Sequence, residues 1–251
     1  MITVNNLKKY FEGTKAVDID ELEIKENQMI GLIGPNGAGK TTFINLVSGF
    51  LKPTGGKVFF KGEDVTEKDF FERSRMGIVK SFQIQKNFPS LTVLDHLLMA
   101  AEKKVSEKFS DPIRSGEVER EEEGYREKAE ELLRELGLEE KRDKHPKSLS
   151  SGEIKLMDLG RALMMDFQIL LLDECTAGLS DAETKEIIEV LKEVGSQEGK
   201  SLLVVEHNLE VIWELSEKVF CLANGEIIAE GTSEEIKQDK QVIEKYLGWE
   251  K

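Results

Sequence analysis

Apolar and polar residues alternate near the start of the chain, as Ile2 and Val4 and then Leu22 and Ile24. This predicts antiparallel strands over residues 1–6 and about 17–24. Three later stretches are apolar without alternation: Met29-Ile30-Gly31-Leu32-Ile33, Ile169-Leu170-Leu171-Leu172 and Ser201-Leu202-Leu203-Val204-Val205. Such runs suit strands buried on both faces. Residues 57–60 and 77–82 read as further strands, and 218–222 and 226–230 as a hairpin turning at Asn224-Gly225. Helical spacing follows residue 42, with Phe43, Ile44, Leu46 and Val47 on one side, and recurs around 67–74. It returns at 92–101 behind a Thr92 cap, then at 118–136, 152–164, 181–194 and 208–215, and two short helices close the chain. Residues 52–56, 62–64 and 104–117 read as turns or loops.

Between the first buried run and the helix after it stands Gly34-Pro35-Asn36-Gly37-Ala38-Gly39-Lys40-Thr41-Thr42, which fits the phosphate-binding pattern GxxxxGK[ST] in its strand-to-helix context. Gly34, Gly37 and Gly39 let the backbone curl so that several N–H groups face phosphate oxygens. The helix beginning near Lys40 adds its positive dipole end. Lys40 supplies a point charge for β- and γ-phosphates, and the Thr41 hydroxyl is a ligand for Mg²⁺, with Thr42 beside it.

Two further candidates follow from strand ends. The run at 169–172 leads into Asp173-Glu174, placing two acids where ligands sit in parallel α/β folds. Asp173 suits the water shell of Mg²⁺, and Glu174 suits the polarisation of an attacking water. His207 follows the strand at 201–205; a lone histidine is usually structural, but this position makes it a catalytic candidate. Gln83 also follows a strand, within reach of a metal or the water. Tyr10-Phe11, upstream of the glycine-rich stretch, suits either stacking on a base or core packing, and spacing alone leaves both open.

Charge narrows the partners. The chain of 251 residues carries 35 Lys and Arg against 49 Asp and Glu, a net −14. That argues against a protein that coats duplex nucleic acid or binds anionic headgroups directly. The densest acidic stretch, 117–140, holds 11 acids and 4 bases. It reads as a solvated helix face, with docking of a basic partner as the alternative. With 39% apolar residues and no apolar run near the roughly 20 a membrane helix needs, the chain reads as soluble and globular. No signal peptide is expected from Met1-Ile2-Thr3-Val4-Asn5-Asn6. Cys175 and Cys221 read as reduced thiols.

Together these residues resemble an ATP-binding subunit of the ABC transporter family over essentially the whole chain. Residues 34–42 resemble the Walker A motif and 169–174 the Walker B motif with its catalytic glutamate. Gln83 in Ser-Phe-Gln-Ile-Gln resembles the Q-loop, and His207 in Val-Val-Glu-His-Asn the H-loop. Leu149-Ser150-Ser151-Gly152-Glu153 resembles the signature motif, and Phe11, rather than Tyr10, matches the aromatic that stacks on adenine. Residues 49–56, 75–79, 91–94 and the loop at 104–117 resemble the branched-chain amino-acid importer type, a pattern that lipopolysaccharide-export ATPases partly share. There are departures: Ser151 for glycine, Glu153 for glutamine, Cys175 for proline and Ser180 for aspartate.

The resemblance implies an α/β fold: a P-loop NTPase (RecA-like) core with an antiparallel β subdomain, over 1–84 and 165–251, and an inserted α-helical subdomain over 85–164. It implies ATP and Mg²⁺ as cofactors, with Gln83 a metal ligand beside Thr41 and Asp173. A second, identical or paralogous ATPase subunit would offer Ser150, Ser151 and Gly152 to the γ-phosphate. Membrane-spanning permease subunits would meet residues 84–100 on the cytoplasmic face, and no nucleic acid partner is implied. The rival readings are a weakly hydrolysing assembly module, motivated by Ser151 and Cys175, and an ABC ATPase acting on DNA or the ribosome, whose usual coiled-coil or tandem-domain insertions and basic surface this chain lacks.

Overall fold

The computed structural model describes residues 1–81, 88–101 and 115–246. Strands among them are β1 (Ile2–Phe11), β2 (Thr14–Ile24), β3 (Met29–Ile33), β4 (Gly55–Phe60), β5 (Glu63–Asp64), β6 (Ile78–Lys80), β7 (Ile169–Asp173), β8 (Ser201–Val205), β9 (Lys218–Ala223) and β10 (Glu226–Gly231). Helices are α1 (Lys40–Val47), α2 (Phe70–Arg75), α3 (Val93–Ala100), α4 (Ser115–Glu135), α5 (Ser151–Met164), α6 (Asp181–Ser196), α7 (Leu209–Leu215), α8 (Ser233–Gln238) and α9 (Lys240–Lys245). Two compact units result. One joins Met1–Gln83, Phe167–Ala177 and Leu191–Lys251; the other joins Ile84–Asp166 and Gly178–Val190. The stretch 178–190, expected with the core, thus groups with the second unit.

The first unit holds both sheets. A four-stranded antiparallel sheet runs β2-β1-β4-β5, and a six-stranded sheet runs β10-β9-β3-β8-β7-β6. In the larger sheet β9, β3, β8, β7 and β6 are parallel, and only β10 is antiparallel. The uninterrupted apolar runs account for this: every residue of β7 and β8 is buried. In β1 and β2, by contrast, alternation sends Ile2, Val4, Val17, Ile19, Leu22 and Ile24 inward.

Three hairpins turn on the same chemistry, a residue followed by glycine with both at positive φ. They are Glu12-Gly13 (46° and 85°), Lys61-Gly62 (50° and 82°) and Asn224-Gly225 (51° and 81°). Two differences from the sequence reading follow. Tyr10 and Phe11 belong to β1, because a two-residue turn needs only Glu12 and Gly13. Glu63 and Asp64 pair with Phe60 and Phe59 as a short edge strand instead of forming a loop.

Helix α1 is held at its far end by a buried ion. Arg73, fully buried on α2, donates through Nη1 to the carbonyls of Leu46 (2.7 Å) and Val47 (2.8 Å) in the last turn of α1. Its Nε and Nη2 donate to the Lys68 and Thr66 carbonyls, both at 3.0 Å. A cation on those carbonyls complements the negative end of the helix dipole. Burial draws the Arg73 pKa down to about 10, against the pull of Asp64 and Glu67, so the group stays charged at neutral pH. The capping box of Asp69 with Glu72 starts α2 and thereby aims Arg73.

In the second unit, Thr92 caps α3 in a capping box with Asp95. The buried His96 bonds the Thr92 carbonyl through Nδ1 (2.7 Å), and its Nε2 accepts the Phe88 N–H (3.1 Å). Helix α5 packs closely because Gly160 leaves room for Leu136 and Leu97. Helix α4 buries Ala129, Leu132 and Leu133 and exposes Glu122, Glu123, Glu127 and Glu131 to solvent, as a solvated acidic face does. It begins at Ser115, inside the expected loop, of which residues 104–114 lie outside the described residues.

Replacing Arg73 by methionine removes the donor from four carbonyls. It should lower the unfolding free energy by about 3–4 kcal/mol in a urea titration. Lysine, which lacks the planar fork, should recover less than half. A loss under about 1 kcal/mol would mean that the carbonyls find other donors.

Candidate active site

The loop from β3 to α1 curls because two glycines sit against neighbouring backbone. A Cβ on Gly34 would overlap the Leu222 carbonyl oxygen, and one on Gly39 would overlap that of Ala16. Both residues also have positive φ, 148° and 105°, as does Gly37 at 78°. Ala38 closes the curl, donating to the Pro35 carbonyl (3.1 Å) and accepting the Gly225 N–H (2.9 Å). Gly39 is the N-cap of α1, with no side-chain cap and no acid in the first turn. The positive end of that helix is therefore left to an anion. Lys40 is 6% exposed, and its ammonium donates to the Gly34 (2.6 Å) and Pro35 (3.1 Å) carbonyls. Burial lowers its pKa, opposed by the charges of Glu174 and Asp173.

Parallel register brings the other strand ends to the same edge. Asp173 pairs with Val205, and Val205 with Leu32 one residue before the end of β3. The carboxyl ends of β3, β8 and β7 therefore form a row carrying residues 34–42, His207 and Asp173-Glu174.

Asp173 is 3% exposed, and among the described residues neither of its carboxylate oxygens has a hydrogen bond of ordinary geometry. Burial pushes its pKa up, the Lys80 charge pulls it down, and the Thr41 hydroxyl is near enough to add to the downward pull. Lys80 Nζ stands 3.8 Å from Asp173 Oδ2 and donates to Asn45 Oδ1 of α1 at 2.6 Å. Lys80 escaped the sequence reading. Its signal was a lysine closing the buried strand Ile78-Val79-Lys80.

Glu174 adopts φ 55°, a left-handed conformation rare outside glycine. Its N–H donates to the Val205 carbonyl (2.9 Å), and its Oε1 lies 3.1 Å from His207 Nε2. Asp173, Glu174, His207, Lys40, Thr41 and the loop 34–42 thus all stand in the first unit. Phe11 and Tyr10 are 45% and 39% exposed, so neither is a core residue. The Phe11 ring has the Lys9 ammonium 5.2 Å from its centroid. Gln83 lies outside the described residues.

Ser150, Ser151 and Gly152 stand in the second unit at the start of α5. Ser150 caps it, accepting the Glu153 N–H (3.1 Å), while Glu153 Oε2 accepts the Ser150 N–H (2.7 Å). Glutamate at 153 therefore completes a capping box. Ser151 is exposed, and Gly152 is buried where a Cβ would overlap the Glu183 carboxylate. That carboxylate accepts from the Ser180 N–H (2.8 Å) and hydroxyl (2.7 Å). Ser180 in turn accepts the Glu183 N–H (3.3 Å) at the start of α6. Cys221 is buried and Cys175 partly so, and the two are not joined by a disulfide.

Comparison with known proteins adds the following. A family model described as ABC transporter matches residues 17–177. The chain is 40% identical to the probable branched-chain amino acid transport ATP-binding protein LivG of Archaeoglobus fulgidus, covering 99% of this chain and 95% of that one. It is 32% identical to the high-affinity branched-chain amino acid transport ATP-binding protein LivG of Escherichia coli, over 99% and 98%. Among solved structures, a nucleotide-free ATP-binding cassette from an ABC transporter superposes with a TM-score of 0.83 at 33% identity, covering 98% of each chain. A dimeric bacterial ABC transporter cassette gives 0.77 at 27% identity, over 93% and 99%.

Proposed function

Because the chain belongs to the ABC transporter family, and so is an ATPase subunit that energises transport, we propose that it hydrolyses MgATP to drive import of branched-chain or related amino acids through partner membrane subunits. The carrying observation is one row of strand ends holding a curled glycine-rich loop, a buried carboxylate and a Glu174–His207 pair at 3.1 Å. The names of the relatives support the amino-acid class.

The residues fit the cofactors. The curled N–H groups of 34–42, the uncapped start of α1 and the Lys40 ammonium suit a triphosphate. Thr41 and the buried Asp173 would hold magnesium, with Gln83 as a further ligand. When bound, the ion neutralises charge on the β- and γ-phosphate oxygens. Phe11, exposed at the end of β1, would stack on adenine. Glu174 orients the attacking water and accepts its proton, and His207 fixes the Glu174 carboxylate and faces the γ-phosphate.

The ATP site is completed by a second subunit, identical or paralogous, whose Ser150, Ser151 and Gly152 present the start of α5. The dimeric cassette among the similar structures supports this arrangement. Neither subunit alone then neutralises the γ-phosphate, so ATP closes the pair and hydrolysis releases it. Met1–Gln83, Phe167–Ala177 and Leu191–Lys251 act as the nucleotide-binding body and Ile84–Asp166 with Gly178–Val190 as the helical body, with 84–100 meeting the permease. No helix of the described residues is long and apolar enough to cross a membrane. This accords with a peripheral place on the cytoplasmic face.

Reconstituted with its membrane subunits, the protein should couple ATP hydrolysis to uptake of leucine, isoleucine or valine. Hydrolysis driving export, or uptake of an unrelated solute, would refute the assignment. Lys40→Ala should weaken ATP binding at least about tenfold in a fluorescent-nucleotide titration, roughly 1.4 kcal/mol. Unchanged affinity would remove Lys40 from the phosphate site. Glu174→Gln should bind ATP as the parent does, hydrolyse it about a hundredfold or more slowly, and elute as an ATP-dependent dimer. Parental turnover would remove Glu174 from the chemistry.

A further inference from the structure

Glu206 immediately precedes His207, and no step described above uses it. It is 2% exposed, an acid enclosed where a charge without a partner is costly. Its Oε1 accepts the N–H of Thr176 at 2.7 Å, and Thr176 is itself buried. A carboxylate on a backbone N–H at that length is among the stronger hydrogen bonds a protein makes.

The place of this bond matters more than its strength. The turn after β7 begins with Glu174 at φ 55°, a conformation that persists in a non-glycine residue only when its surroundings enforce it. One enforcing bond comes from the backbone, Glu174 N–H to the Val205 carbonyl at 2.9 Å. A second is the Glu206 carboxylate on Thr176, two residues further along. The end of β8 therefore grips the turn on both sides of Cys175. The next residue of the same segment, His207, reaches the Glu174 carboxylate at 3.1 Å. The backbone of Glu174 and its side chain are thus both referred to residues 205–207.

We propose that Glu206 is a positioning residue for Glu174: by holding the Thr176 N–H it keeps the turn in the left-handed conformation that aims the Glu174 carboxylate. This rests on the assignment of Glu174 given above. The required property is an acceptor of the right length. Glutamine retains it through its amide oxygen, methionine keeps the bulk without it, and aspartate keeps the charge but is one methylene short.

The test compares Glu206→Gln, Glu206→Met and Glu206→Asp in the full chain with MgATP. Amide hydrogen exchange of the nucleotide-free protein across 174–177 is followed alongside. Methionine and aspartate should each lower kcat about ten- to a hundredfold with KM for ATP within about twofold, and should speed exchange at Thr176. Glutamine should keep kcat within about threefold and leave exchange slow. In a Glu174→Gln background, adding Glu206→Met should cost little more, since both act on one group.

Parental kcat in the methionine or aspartate variant overturns the proposal, as does a glutamine variant as slow as methionine. If methionine prevents folding, the aspartate variant decides alone. The two readings fail differently. A Glu174→Gln protein that hydrolyses normally refutes the role of Glu174. An inactive Glu174→Gln protein beside a fully active Glu206→Met protein refutes only the role of Glu206.

Discussion

Parallel register between β3, β8 and β7 is the constraint on which the site depends. In parallel strands every carboxyl end faces the same edge, so groups 130 to 170 residues apart in sequence arrive in one row. The pairing of Asp173 with Val205 then decides details that no single strand contains. It sets the Val205 carbonyl beside the Glu174 N–H, and it sets His207 within reach of the Glu174 carboxylate. A slip of one residue would turn each of these side chains to the other face.

Charge is handled at that edge by burial and by opposing charge. Asp173 is enclosed, and burial favours the neutral acid unless a cation is near. Lys80 on β6 supplies one at 3.8 Å and is tied to α1 through Asn45. Lys40 is enclosed in turn on the carbonyls of Gly34 and Pro35. A buried carboxylate and an ammonium resting on carbonyls are both groups whose best partners are a metal ion and a phosphate.

Helix α1 is equipped differently at its two ends. Its amino end has glycine as N-cap and no acid, which leaves the positive dipole end for a ligand. Its carboxyl end is held by the Arg73 guanidinium, which donates to the Leu46 and Val47 carbonyls of the last turn. The amino end thereby remains available for binding without leaving the rest of the helix insecure. Elsewhere the departures from the family pattern have local uses. Glu153 completes the cap of α5, and Ser180 exchanges bonds with Glu183 at the start of α6.

What the sequence determined by itself was the kind of each element and the local chemistry of the loop. Period-two alternation, uninterrupted apolar runs, residue–glycine turns and GxxxxGK[ST] depend only on neighbouring residues, so a linear reading reaches them. It also marked Asp173, Glu174 and His207, since each closes an apolar run. It missed Arg73, Lys80 and Glu206, and spacing left Tyr10 and Phe11 undecided between a core and an exposed role. For the three charged groups the deciding partner is remote: Arg73 serves carbonyls 26 and 27 residues away, Lys80 stands by Asp173, and Glu206 serves an amide 30 residues away. Burial of a charged side chain, and which distant backbone group satisfies it, are properties of packed strands and helices. Only the tertiary structure decides them.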